Sequence, residues 1–125
     1  MARDIIRTGD APSSPIFSQA VRAGGLIFVS GQAPIDRATG KISGETIQEQ
    51  TRQSLTNVQT ILDAAGSGLD KIVSATVILV EESDFAGMNE EWARWFPADP
   101  PARQGAKLPI SAGGIKVSVA VIAEA

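Results

Sequence analysis

The 125-residue chain fits one domain, residues 1–125, with little room for a second core. Its 43% hydrophobic and 20% charged residues are ordinary for a globular protein and unlike a disordered one. Lacking His, Cys and Tyr altogether, it can hold neither a Ser-His-Asp nor a Cys-His nucleophile, nor a zinc ion on His or Cys. No side chain has an ordinary pKa near neutrality, which leaves acids, Lys, Arg, hydroxyls, backbone groups and water to do any chemistry. A net charge of −3, with the basic residues scattered along the chain, argues against nucleic acid as the main partner. No apolar run approaches the ~20 residues of a membrane helix, and Met1-Ala2-Arg3-Asp4 is unlike a secretory signal, so the expected location is the cytoplasm.

In chain order, residues 3–7 read as a short strand, followed by a loop at 10–15 with two prolines. Residues 18–23 and 26–30 read as a hairpin about Gly24-Gly25, and 31–44 as a loop rich in Pro, Asp and Gly. Thr46 and Glu49 have the spacing of a capping box, and Ile47, Thr51, Leu55, Val58, Ile61, Leu62 and Ala65 keep the helical period up to Gly66. Residues 71–80 are β-branched and apolar on both faces, as in an interior strand. Ser83 or Asp84 caps a second helix whose stripe is Phe85, Met88, Trp92, Trp95 and Phe96, with Pro97 ending it. An extended segment at 103–108 and a last strand at 115–123, entered through Gly113-Gly114, complete the order β-β-β-α-β-α-β-β.

That order predicts an α+β fold, a two-layer mixed sheet with both helices on one face. The other face would then expose apolar residues in a monomer, which predicts a closed oligomer of unspecified subunit number.

Several segments are familiar. Phe17-Ser18-Gln19-Ala20-Val21, Phe28-Val29-Ser30-Gly31-Gln32-Ala33-Pro34 and Glu49-Gln50-Thr51-Arg52-Gln53 are three of them. Leu55-x-Asn57-Val58, Ala64-Ala65-Gly66, Asp84-Phe85 with Met88-Asn89-Glu90, and Pro100-Pro101-Ala102-Arg103 follow in the same order. Together they resemble the RidA (YjgF/UK, L-PSP) family over nearly the whole chain. The resemblance implies a chorismate-mutase-like homotrimer with a central barrel and ligand clefts between neighbouring subunits. It further implies hydrolysis of enamines and imines to 2-oxo acids and ammonia, with no metal or organic cofactor.

Within that resemblance Arg103 is the arginine that grips the substrate carboxylate, and a planar guanidinium suits that task as Lys does not. Ser30 and Gly31 line the cleft; Ser30 could equally end its strand by bonding to backbone, and Gly31 serve close approach or a turn. Asn89 reads as a structural bond to a loop. Two positions depart from the family. Phe17 stands where a tyrosine is usual, and Ala120 where a glutamate is thought to position or activate the water. Glu124 shares Ala120's strand face but lies ~13 Å further along. The expected function is therefore imine hydrolysis anchored by Arg103. The alternative is a non-catalytic trimer that binds small carboxylates as a sensor or partner module.

Overall fold

The fold rests on the way the last strand enters the sheet. In the computed structural model, which describes residues 2–108 and 113–125, the elements are β1 (Asp4–Ile6), β2 (Ala20–Ala23), β3 (Leu26–Gln32), β4 (Ile35–Asp36), β5 (Lys41–Ile42), α1 (Ile47–Ala64), β6 (Ile72–Leu79), α2 (Phe85–Trp95), β7 (Ala102–Lys107) and β8 (Val117–Glu124). Single 3-10 turns, Leu69–Lys71 and Glu82–Asp84, lead into β6 and α2. The main sheet runs β1-β2-β3-β8-β6-β7, antiparallel except for the parallel β6–β7 pair at one edge. This is the mixed sheet with helices on one face that the pattern predicts. The expected loop at 31–44 differs: it contains the end of β3 and a small hairpin of β4 and β5.

Gly24 and Gly25 both take positive φ at the β2–β3 turn, which only glycine adopts without strain, and so fix the register of the N-terminal hairpin. Strand alternation then divides the sheet. Ile27, Val29, Ala75, Val77, Leu79, Val117, Val119, Val121 and Ala123 are buried beneath the helices. They form one core with Leu55, Val58, Ile61 and Leu62 of α1 and with Met88 and Trp92 of α2. The other face is bare. Across it run the row Val21–Phe28–Ile122–Ser74–Ala102 and, beside it, the rows Ala120–Thr76–Gln104 and Ser118–Ile78–Ala106. Phe28 and Val73 are each 43% exposed.

α1 begins as its sequence dictates. The Thr46 hydroxyl accepts from the Glu49 amide at 3.1 Å, and the Glu49 carboxylate accepts from the Thr46 amide at 3.0 Å. Gly66, at φ +78°, ends it with the paired amide-to-carbonyl bonds Ser67 to Leu62 and Gly66 to Asp63. Thr46→Ala is expected to cost about 1 kcal/mol of stability in urea unfolding, with an unchanged denaturant slope.

The start of α2 departs from expectation. Asp84 makes no side-chain cap, and the preceding 3-10 turn leads the chain into the helix instead. Phe85, expected in the packed stripe, is 52% exposed because the first turn of α2 overhangs the sheet edge, while Met88 and Trp92 further along are buried. The bond of Asn89 to a loop is not found among the described residues, where its buried Oδ1 has no partner.

Candidate functional site

β7 brings Arg103 to the edge of the sheet. Arg103, Gly105 and Lys107 pair with Ala75, Val77 and Leu79, so their side chains rise on the helix-covered face, beyond the part that α2 buries. There they meet a groove of about 680 Å³ whose walls include Val77, Leu79, Phe85 and Met88, with Glu82 also on its lining. The Arg103 guanidinium lies 5.2 Å from the centre of the Trp92 ring and 5.9 Å from that of Phe85, and its Nη1 donates to the Met88 sulfur at 3.6 Å. Ring faces and a thioether hold it by cation–π and packing contacts. Among the described residues no carboxylate pairs with it. A planar fork of donors thus stands in an apolar recess with its hydrogen-bonding capacity for an anion largely unspent.

Ser30, Gly31 and Ala120 meet elsewhere. Val29 pairs with Val121 and Gln32 with Val119, so Ser30 and Gly31 together face the single residue Ala120 in a β-bulge. The bulge is at the bare face. A Cβ on Gly31 would stand 2.9 Å from the Ser118 Oγ, so the glycine here serves close approach rather than a turn. Ser30 Oγ donates to the Ser18 carbonyl at 2.6 Å, the backbone bond its strand-end position suggested. Across from Ala120 sits Thr76, whose hydroxyl accepts from Gln104 Nε2 at 3.0 Å. Alternation along β8 puts Ser118 on the face of Ala120, but sequence reading missed Thr76 and Gln104, since only the pairing of β8 with β6 and of β6 with β7 aligns them. Their hydroxyl and amide groups surround Ala120 without an ionisable side chain. Glu124 lies at the far end of β8, opposite Leu26.

Phe17 sits on the loop before β2 and is 51% exposed, next to Ile16 at 86%. The loop is pinned from beneath by buried Gln19. Its amide accepts from the Thr8 amide at 2.8 Å and donates to the carbonyls of Thr8, Ala11 and Pro12 at 3.0–3.1 Å. Within one subunit, then, the sheet separates Arg103 from the bulge residues. No group of three or more acids that could hold a metal ion occurs among the described residues.

Among the described residues one acid is buried, on α2. Glu91 is 2% exposed; it pairs with Arg52 of α1 at 3.2 Å and accepts from Trp95 Nε1 at 2.9 Å. Burial pushes its carboxyl up, yet hydrogen bonds from Arg52 and Trp95 and the charges of Arg52 and Arg94 outweigh this and hold it below the usual carboxylate range. A lowered folded-state pKa gives stability that is full above pH ~4.5 and disappears as pH falls through the lowered value. Arg52→Met should therefore destabilise the protein at pH 7 and much less once Glu91 is protonated. Urea unfolding followed from pH 7 downward through the acid range measures the difference, and a loss that stays constant as pH falls would deny the ion pair that role.

The sequence has clear relatives. The family model described as Endoribonuclease L-PSP matches residues 8–125. A RutC family protein of Pyrococcus horikoshii is 46% identical over 103 residues, 81% of each chain. The 2-iminobutanoate/2-iminopropanoate deaminase of Capra hircus is 35% identical over 124 residues, 98% of this chain and 90% of that one. Among solved structures, TdcF of E. coli with bound serine superposes with a TM-score of 0.90 at 33% identity, covering 98% of both chains.

Proposed function

We propose, since this chain belongs to the endoribonuclease L-PSP (RidA/YjgF) family, that it hydrolyses 2-imino acids to 2-oxo acids and ammonia, with Arg103 as the carboxylate anchor. The observation that carries this reading is the unpaired Arg103 guanidinium, poised over two aromatic rings in an apolar groove. The deaminase name of the Capra hircus relative and the serine bound to TdcF point the same way, towards small molecules that carry a carboxylate.

The site needs more than one copy of the chain. Arg103 lies on the helix-side edge of the sheet and the bulge on its bare face. A closed homotrimer, its bare faces turned into a central barrel, would set the Arg103 groove of one subunit beside Phe17, Ser30, Gly31 and Ala120 of the next. Arg103 fixes the carboxylate by two parallel N–H···O bonds. A water oxygen then bonds to the C=N carbon, and the π pair moves to nitrogen, which takes a proton. The resulting carbinolamine loses ammonia as the C–N bond breaks, and its oxygen gives up a proton to leave the 2-oxo acid. Hydroxyls of Ser30 and Thr76 and the backbone of the bulge would hold the water. Without a carboxylate at Ala120 the rate forgoes the ~10²–10⁴ that a positioned acid or base supplies.

This last feature favours one alternative, a trimer that binds small carboxylates without turning them over. Generating 2-imino acids in situ from amino acids with an amino-acid oxidase and following ammonia release tests the choice. Ammonia release well above the buffer rate is expected. A buffer rate accompanied by tight 2-oxo acid binding would leave the binding module standing.

A further inference from the structure

We infer that Gly105 sets the size of the acid this groove accepts, and that its substrates carry a branched aliphatic or aromatic side chain. The inference rests on the deaminase reading and adds the substrate class to it.

Gly105 lies between Arg103 and Lys107 on the groove side of β7. Nothing in the backbone demands a glycine there. Its φ lies outside the left-handed region, and an added Cβ would meet only the Val77 carbonyl oxygen, at 3.5 Å, an ordinary contact. Glycine weakens a strand, and one that neither a turn nor packing requires marks a place where something else approaches the chain. What it leaves open here is floor. A carboxylate held at Arg103 puts the α-carbon of its owner within one strand step or two of Gly105, so the substrate side chain falls over the missing Cβ. Val77, Leu79, Phe85 and Met88 surround that spot, and half of the Phe85 side chain is uncovered. A methyl group would leave the exposed Phe85 ring wet, whereas an isobutyl or benzyl group would cover it. A second carboxylate would meet a lining that carries the negative Glu82 as well as the positive Lys107, and so gains little.

The test compares imines made in situ from leucine, phenylalanine, alanine and glutamate, for the wild type, Gly105→Ala and Gly105→Val. For the wild type, kcat/KM should be about tenfold or more higher for the leucine- and phenylalanine-derived imines than for the other two, the discrimination that a few methylenes in an apolar pocket provide. Gly105→Val should reduce the leucine-to-alanine ratio about tenfold, with Gly105→Ala in between. An unchanged ratio overturns the inference, and so does preference for the alanine or glutamate imine. An altered sedimentation coefficient with an unchanged ratio also overturns it, since a neighbouring copy would then occupy the floor. Should the wild type hydrolyse no imine, the deaminase reading fails by itself. Calorimetric binding of 4-methyl-2-oxopentanoate against pyruvate then decides the size rule, which predicts about tenfold tighter binding of the larger acid and its loss in Gly105→Val.

Discussion

Arg103→Ala is expected to lower kcat/KM for imine hydrolysis by about a hundredfold or more. Each hydrogen bond to a charged group is worth ~1.5–3 kcal/mol, and the guanidinium offers two to a carboxylate. Arg103→Lys keeps the charge but loses the planar fork and the stacking on Phe85 and Trp92, so most of the loss should remain. Because Arg103 is exposed and no ion pair among the described residues fixes it, neither variant should shift the melting temperature by more than a degree or two. The separation of effects is the test. Wild-type turnover in Arg103→Ala removes the anchor, and a large fall in melting temperature would reassign the arginine to stability.

The second large effect concerns the bare face. Ile122 lies in its middle, between Phe28 and Ser74. In the proposed trimer, Ile122→Asp would place one carboxylate per subunit against the apolar rows of its neighbours, and an unpaired buried charge costs several kcal/mol. Sedimentation velocity should show a trimer for the wild type and for Ile122→Val, and a monomer for Ile122→Asp. Since Arg103 and the bulge of the proposed inter-subunit site would then no longer meet, turnover should fall with the trimer. A trimer that survives Ile122→Asp would put the subunit contact elsewhere.

What could be read from the sequence was what depends on near neighbours. Thr46 and Glu49 are three residues apart and cap each other whatever the rest of the chain does. Gly24-Gly25 turns its hairpin for the same reason. The alternation of Val117, Val119, Val121 and Ala123 gave their shared face before any partner was known. The bulge was invisible because it is a property of two strands: the strand reads as ending at Ser30 and Gly31 as opening a loop until Val29 and Gln32 are matched to Val121 and Val119. Phe85 was misjudged because helical spacing cannot tell where the sheet beneath the helix ends. Ser30, Gly31, Ala120 and Arg103 could be picked out through the family resemblance, but not that two faces of the sheet divide them.

The position of β8 also bears on how the protein is made. It lies between β3 and β6, and Leu26 pairs with Glu124 across almost the whole length of the chain. Until residue 124 has left the ribosome, the hairpin of β2 and β3 and the pair of β6 and β7 each present an open edge with no strand to fill it. Closure of such distant pairings is slow, and open strand edges invite association with other chains. The nascent protein would accordingly stay in need of chaperone protection until β8 has emerged, and a stop codon before β8 would leave two half-sheets without the strand that joins them.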